Sequence, residues 1–226
     1  RTVEMASNQR VAYISGFPFP RPLAACAMKT FLESSLWIDW EKPAVQAQAQ
    51  RLAADATNEE ELARRCFEFV RDEIRHSGDF RCGPVTCRAS DVLAHRTGYC
   101  YAKSHLLAAL LRANGIPAGL CYQRLSVAGG GAPYCLHGLN AVHLPAHGWF
   151  RIDARGNKPG VEARFAPPIE ALAFPIIEAE ERDFDEIWPE PLPIIVDALT
   201  RAPDLEALYQ TLPDIPVVRR RTPQPA

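Results

Sequence analysis

Residues 97–114 restrict the possible folds of this chain more than any other segment. They contain no proline and carry a dense run of leucine and alanine, so the sequence predicts a helix here. Asn114-Gly115 followed by Ile116-Pro117 is typical of a helix end. Because apolar residues occupy nearly all sides of this helix, we expect it to be buried at the centre of the core.

The sequence before this helix predicts another, amphipathic helix that begins near residue 58. Asn58 and the three glutamates after it suit the cap and the first turn of a helix. Apolar residues then recur at three- and four-residue intervals as far as Ile74. A loop rich in glycine and proline follows, and we expect it to end in a helix cap at Ser90 or Asp91.

The sequence after the central helix predicts strands. Residues 119–127, 137–144 and 149–153 read as three strands, separated by a run of glycines and by a turn at residues 145–148. Helices followed by strands indicate an α+β fold.

Proline becomes frequent from Pro167 onward. We expect residues 1–166 to form the main domain and residues 167–226 to form an arm that packs on it. A short helix is predicted over residues 204–212, and the arginine- and proline-containing tail at residues 219–223 is predicted to be disordered.

Composition excludes several classes of protein. The chain has 226 residues, of which 47% are hydrophobic and 23% charged, so it can bury a sizeable core. The formal net charge of −2 argues against a nucleic-acid partner. The longest apolar runs, such as residues 106–111, are much too short to cross a membrane. Seven cysteines without a compact spacing predict reduced thiols and a cytoplasmic protein.

Cys100 is the first candidate for chemistry. We expect it in the first turn of the central helix, with Thr97 as a possible N-cap. There the helix dipole and the free N–H groups favour a thiolate, and the same N–H groups can hold an oxyanion. The alternative is a small buried apolar residue, which is what most cysteines are. Among its neighbours, Tyr99 and Tyr101 read as core residues and Lys103 reads as solvated.

A base for Cys100 must come from the six histidines. His137 begins a predicted strand and Asp153 ends the next one, so a hairpin between them would present an imidazole and a carboxylate together. A turn centred between Ala146 and His147 puts residue 140 opposite residue 153, however. A bulge or a longer turn is then needed to bring His137 to Asp153.

These segments resemble the transglutaminase-like superfamily. Residues 96–100 read Arg-Thr-Gly-Tyr-Cys, and residues 110–118 read Leu-Leu-Arg-Ala-Asn-Gly-Ile-Pro-Ala, which is similar to the nucleophile segment of that family. Residues 137–142 and 148–153 are similar to its histidine and aspartate segments and follow in the same order. The resemblance covers residues 74–158 and is closest to the bacterial transglutaminase-like cysteine proteases.

The resemblance implies a papain-like α+β fold with the nucleophile helix packed on an antiparallel sheet. It further implies a Cys100–His137–Asp153 triad that transfers acyl groups through a thioester, with a peptide or amide substrate and no cofactor or metal. Crosslinking members of the family usually carry Gln and Trp around the cysteine, where this chain has Gly98-Tyr99 and Tyr101. We therefore expect hydrolysis of an amide or peptide bond.

Four alternatives are kept. One is a transglutaminase, which would transfer the acyl group from the thioester to an amine. The segment around Cys100 also resembles the arylamine N-acetyltransferases, which use the same triad with acetyl-coenzyme A. The fold could instead serve as a binding module without turnover, with the C-terminal arm in its cleft. The last alternative is a structural zinc ion bound by a histidine and by several of four cysteines: Cys82, Cys87, Cys121 and Cys135. The spacing of these cysteines is loose for a zinc site.

Overall fold

A computed structural model describes residues 28–216 of the chain. The predicted disorder of residues 219–223 lies outside this range. The helices are α1 (Pro43–Ala53), α2 (Glu59–Glu68), α3 (Ser77–Phe80), α4 (Ala89–His95), α5 (Cys100–Ala113), α6 (Pro193–Arg201) and α7 (Leu205–Gln210). The strands are β1 (Arg75–His76), β2 (Thr97–Gly98), β3 (Ala118–Ser126), β4 (Tyr134–Leu144), β5 (Gly148–Ile152) and β6 (Arg182–Asp183).

The central helix α5 organises the core. Every residue from its start to Arg112 is buried, which confirms the prediction of a helix surrounded on all sides. It packs against α1 and α4 on one side and against β3 and β4 on the other. The Arg112 guanidinium is buried with it and donates to the carbonyls of Glu33, Ala118 and Pro189. This side chain thus connects segments before and after the sheet to the end of the helix.

A four-stranded antiparallel sheet lies beside this helix in the order β5-β4-β3-β6. The three predicted strands are present within one or two residues of their expected ends, apart from an earlier start of β4. The two-residue strand β6 adds a fourth strand from the C-terminal part of the chain. The α+β fold class is therefore confirmed.

The start of α5 differs from the prediction. Thr97 does not cap the helix, because Thr97 and Gly98 form β2 and pair in parallel with β1. The Thr97 hydroxyl bonds to the Arg75 carbonyl at 3.3 Å and to the Cys82 thiol at 3.1 Å. Tyr99 takes the N-cap position without a side-chain hydrogen bond. As a result Cys100 is the first residue of the helix.

Two other helix boundaries separate the sequence prediction from the structure. Asn58 caps α2 as predicted, since its side chain accepts a hydrogen bond from the Glu61 N–H at 2.9 Å. The expected continuous helix ends at Glu68, however, and residues 69–73 form a π-helical turn. The helix α4 has Arg88 and not Ser90 or Asp91 at its N-cap, so it begins at least two residues earlier than expected. Ser90 lies inside the first turn, where Asp39 accepts hydrogen bonds from its backbone and its hydroxyl.

The C-terminal part of the described chain runs over the sheet and the start of α5. Its predicted short helix is present as α7, with Asp204 as a cap that accepts from the Ala207 N–H. Leu172 and Ile187 pack on a small apolar cluster of sheet residues at Cys121, Leu139 and Ala141. Of the helices between residues 28 and 216, none is long and apolar enough to cross a membrane.

Candidate active site

Cys100 lies at the junction of β2 and α5. As the first helical residue it has a backbone N–H without an acceptor inside the helix, and this N–H points out of the helix end. Its carbonyl accepts a hydrogen bond from the Ser104 hydroxyl at 2.9 Å, one turn later. The pairing of β1 with β2 places His76 beside Gly98, two residues before the thiol. The side chain of Cys100 is almost inaccessible, with 3% of the residue exposed.

His137 and Asp153 form a buried pair. The Nε2 atom of His137 lies 2.8 Å from Oδ2 of Asp153. The same carboxylate accepts two backbone N–H groups, from Arg155 to Oδ1 and from Ala173 to Oδ2, each at 3.1 Å. Burial alone would raise the pKa of Asp153, but His137 and these donors outweigh it, so the pKa is lowered. The carboxylate is therefore held ionised in the interior.

Cys100 completes this group. Burial lowers the pKa of His137, but the charge of Asp153, followed by that of Cys100, raises it to about 10. Hydrogen bonds from His137 to both residues contribute in the same direction. Since Nε2 faces Asp153, Nδ1 is the ring nitrogen left for Cys100. The structure thus brings together the three residues that the sequence analysis singled out.

The strand register explains how His137 reaches Asp153 without a bulge. Asn140 pairs with Ile152, so residue 139 and not residue 140 lies opposite Asp153. His137 is two residues from that position and has the same strand parity, which makes the two side chains diagonal neighbours. The expected bulge or longer turn is therefore wrong, because the expected register differs from the observed one by one residue. In the structure the turn leaves His143 opposite Trp149.

Gly138 allows β4 to approach the nucleophile helix closely. A Cβ atom at Gly138 would lie 2.8 Å from a ring carbon of Tyr101 and 3.1 Å from the Tyr101 Cα. The Tyr101 hydroxyl also donates a hydrogen bond to the carbonyl of Leu136. The residues on both sides of His137 are therefore fixed to the second residue of α5, which sets the position of His137 relative to Cys100.

Aromatic and charged groups surround the pair and were not identified from the sequence. The Phe174 ring meets the His137 ring edge to face at a centroid distance of 5.0 Å, and the Arg155 guanidinium lies 5.5 Å from the centre of Phe174. Arg155 forms an ion pair with Asp79 at 2.7 Å. Arg155 could have been identified from the sequence, because it lies two residues after Asp153. Phe174 could not, because no local sequence pattern connects it to His137, which is far away in the sequence.

Lys103 corrects an expectation. It was predicted to be solvated, but it is fully buried one turn after Cys100. Its Nζ donates to the carbonyls of Arg71 and Ile74, at the end of the π-helical turn. Burial first, and then the nearby Arg155, lower its pKa to about 7. Lys103 therefore satisfies carbonyl groups that the widened turn leaves free.

The other thiols differ from Cys100 in their surroundings. Burial raises the pKa of four cysteines to about 12: Cys66, Cys87, Cys121 and Cys135. The six cysteines within residues 28–216 are all free. That part of the chain contains no group of three or more histidine, cysteine or acidic side chains arranged to hold a metal ion.

The profile of the transglutaminase-like superfamily matches residues 46–154, a range that contains all three residues of the buried group. No curated protein matches the chain. Among solved structures, a "putative cysteine protease" from Cytophaga hutchinsonii is 21% identical with a TM-score of 0.49, covering 59% of this chain and 43% of that one. The periplasmic domain of TgpA from Pseudomonas aeruginosa is 22% identical with a TM-score of 0.45, covering 59% and 48%.

This chain thus spans less than half the length of these two solved chains. The matched profile extends from α1 to the residues directly after β5, and it ends one residue after Asp153. Over residues 46–154, just under half of its length, this chain is similar to the transglutaminase-like superfamily.

Proposed function

We propose that this protein is a thiol-dependent acyl-transfer enzyme, a cysteine-type hydrolase of amide or peptide bonds with Cys100, His137 and Asp153 as its catalytic triad. The observation that carries the proposal is the position of His137 between two partners. One ring nitrogen lies 2.8 Å from a buried carboxylate, and the other is left for a thiol at a helix start. This arrangement matches the nucleophile, base and orienting group of covalent acyl transfer.

The proposed reaction begins at the thiol. The Cys100 sulfur attacks the substrate carbonyl carbon while His137 takes the thiol proton, and the carbonyl electron pair moves onto oxygen. When the oxyanion collapses, the C–N bond breaks and His137 gives its proton to the leaving amine. The product is a thioester on Cys100. His137 then takes a proton from water as the water oxygen attacks the thioester carbonyl. When this second oxyanion collapses, the C–S bond breaks, the acid leaves, and His137 returns the proton to the Cys100 sulfur.

The surroundings of the triad support each of these roles. Asp153 accepts from Nε2 of His137, which leaves Nδ1 as the nitrogen that takes and holds the thiol proton. The raised pKa of His137 favours the imidazolium, the form that protonates the leaving amine. The backbone N–H of Cys100 itself is available to the oxyanion, because a first-turn N–H has no acceptor inside the helix.

Labelling with electrophilic acyl donors tests the proposal. We expect a library of activated amides and esters to form an adduct on Cys100 that peptide mapping by mass spectrometry locates. The adduct should be lost in Cys100→Ala. It should persist in the matched control Cys82→Ser, which retains a hydrogen-bonding group for Thr97. Adducts that form mainly on Cys82 or Cys121, or equally in Cys100→Ala, contradict the proposal.

A second candidate function is a binding module without turnover. The observation that favours it is the burial of the site, since only 3% of Cys100 and 5% of His137 are exposed. Under this alternative the chain binds a peptide or amide but releases it unchanged. Wild-type protein that binds an acyl donor without releasing free acid, under conditions where Cys100 is reduced, supports the alternative over the hydrolase.

We also propose a cytoplasmic location, supported by the free state of the cysteines in the described part of the chain. Trapping of thiols in intact cells, followed by cell fractionation, tests it. We expect the protein in the cytoplasmic fraction with its cysteines alkylated. A periplasmic or secreted protein with oxidised cysteines contradicts it.

A further inference from the structure

The first half of β4 has an edge that β5 does not cover. Within the described chain, β5 pairs with β4 from Asn140 to Leu144 only, so residues 134–139 have strand pairing on the β3 side alone. His137 lies in this half of the strand. An uncovered strand edge is a template for another extended backbone. The Leu136 carbonyl on this edge already accepts from the Tyr101 hydroxyl, so a peptide here would bond to the Leu136 N–H and run past His137.

The chain's own C-terminal segment, residues 211–216, lies at this edge. The N–H of Leu136 donates to the carbonyl of Pro213 at 2.7 Å, as an edge strand does to a bound peptide. Asp214 holds the segment, because its two carboxylate oxygens accept from the Arg124 guanidinium at 2.6 and 2.8 Å. That guanidinium also lies 4.1 Å from the centre of the Tyr134 ring, so its position is fixed.

Just before this segment, Tyr209 contacts the residue that precedes the nucleophile. The Tyr209 hydroxyl of α7 lies 2.0 Å from where a Cβ atom of Gly78 would be, so only glycine fits at that point. The Tyr209 ring meets the ring of Tyr99, the residue before Cys100, at a centroid distance of 5.8 Å. Residues 209–214 thus extend from the ring of Tyr99, next to Cys100, to the backbone beside His137. The residue Cys100 is 3% exposed.

The contact of α7 with the body of the protein is small. Leu208 is the one residue of this six-residue helix that is buried, and Tyr209 is 44% exposed. A segment with few buried apolar contacts opens at a lower free energy than the core. Beyond α7, Pro213 is buried and Leu212 and Ile215 pack against the core, so these contacts must open as well if residues 205–216 are to leave the edge while α5 and the sheet stay folded.

We propose that the uncovered edge of β4 is a binding site for the backbone of an extended peptide and that residues 211–216 occupy this site in the resting protein. The proposal rests on the hydrolase function in one respect only, that the bound peptide is the acyl donor. Asp214 indicates the chemistry of the ligand. It is an extended peptide with a carbonyl for the Leu136 N–H and an acidic side chain on the next residue for Arg124.

Alkylation of Cys100 in the full chain tests the occupancy. In Asp214→Ala the segment loses its anchor, so we expect iodoacetamide to modify Cys100 about tenfold faster than in wild type, the scale of a charge-assisted bidentate contact. The matched control is Asp197→Ala, which removes an exposed ion pair with Arg201 on α6 and should leave the rate unchanged. Equal rates in Asp214→Ala and wild type overturn the proposal.

Adding the segment back tests the binding site itself. A synthetic peptide of residues 205–216 should slow the alkylation of Cys100 in Asp214→Ala, whereas the same peptide with alanine at the position of Asp214 should do so much less. A peptide without effect at millimolar concentration overturns the proposal. The variant is first compared with wild type by circular dichroism and thermal unfolding.

Hydrogen exchange in the wild-type protein needs no variant and decides the question if Asp214→Ala fails to fold. The Leu136 amide is protected by Pro213, whereas the Val142 amide lies in the paired part of β4. We expect Leu136 to exchange at least tenfold faster than Val142, because the segment opens by itself. Exchange of both amides at one common rate, that of global unfolding, overturns the proposal.

The two proposals fail in different ways. If Asp214→Ala is alkylated faster and is protected by the peptide but forms no acyl adduct with any donor, the binding site stands and the hydrolase function falls. If wild type and Asp214→Ala hydrolyse a donor at the same rate and the peptide does not inhibit either, the hydrolase function stands and the proposed occupancy falls.

Discussion

At the scale of single residues, the hydrogen bonds of Asp153 make its charge the property to test. Both carboxylate oxygens accept backbone N–H groups while Oδ2 also faces His137. In Asp153→Asn one of these oxygens becomes an NH₂ group, which must face either a backbone N–H or the imidazole. We expect turnover to fall by up to about 10⁴-fold, as in serine-type triads, with some activity left, because Cys100 and His137 remain.

Steady-state kinetics on a donor found by acyl labelling measures this loss. His137→Ala is the reference for complete loss of the base. Asp183→Asn, which alters a partly exposed carboxylate bonded to Gln123, is the control for a general effect of the substitution. An Asp153→Asn protein as active as wild type, or a His137→Ala protein that retains full turnover, contradicts the assignment of these roles.

A second residue-scale prediction concerns stability and pH. The pKa of His137 is raised to about 10 in the folded protein, from about 6.5 in an unfolded chain. The protonated form therefore stabilises the fold fully below about pH 6.5, and this contribution is lost as pH rises through about 10. Lys103, with its pKa lowered to about 7, acts in the opposite direction, since its protonation favours the unfolded chain.

The contribution of His137 is obtained as a difference. Urea unfolding of wild type and of His137→Ala between pH 6 and pH 10 gives two free energies of unfolding at each pH, and the effect of Lys103 is common to both. We expect the stability advantage of wild type to shrink as the pH rises. A constant or growing advantage means that the histidine is not held protonated by Asp153.

At the scale of elements, the close approach of β4 to α5 depends on Gly138. In Gly138→Ala the new methyl group would lie 2.8 Å from the Tyr101 ring and 3.1 Å from its Cα, which is backbone and cannot turn aside. We expect a loss of stability of about 1–3 kcal/mol by overpacking and a larger proportional loss of turnover, because His137 moves away from Cys100. Gly83→Ala is the control, since nothing lies within 4 Å of its added methyl.

Thermal unfolding and kinetics of both variants check this prediction. A Gly138→Ala protein with wild-type stability and turnover would show that β4 is not fixed against α5. A loss of the same size in Gly83→Ala would show that the effect comes from the backbone preference of alanine.

Elements also show what could be predicted from this sequence. The helix α5 was predictable because its apolar residues lie on all sides, and the strands because the loops between them contain glycine and proline. The start of α5 was not, since Thr97 pairs with a strand 22 residues earlier, through the Arg75 carbonyl. The burial of Lys103 was equally hidden, because the carbonyls it satisfies belong to a π-helical turn that no local pattern announces.

At the scale of the whole molecule, residues far apart in sequence build the site. The proposed triad comes from the start of one helix, one strand and the residue directly after another strand, whereas the N–H of Ala173 and the ring of Phe174 come from the C-terminal part of the chain. These contacts join residues 167–216 to the site, so the proposed division of the chain at residue 166 separates two segments that share one function. Spacing and composition predict neither contact, since each depends on how the whole chain folds back.

The fate of the thioester is also a property of the whole molecule. Water and amines compete for it, and the outcome depends on whether the folded protein excludes water and binds the amine. In this structure residues 209–214 contact Tyr99 and Leu136, the neighbours of Cys100 and His137, and this segment is proposed to move aside when substrate binds. An open edge admits water, so we expect free acid to exceed the amine adduct when both acceptors meet a glutaminyl or short peptide donor.

Mass spectrometry of the two products, as a primary amine is raised to millimolar concentration, measures the partition. Predominant adduct at millimolar amine would instead assign the protein as an acyl transferase to amines, and a higher adduct fraction in Asp214→Ala than in wild type would show that the segment itself keeps amines out.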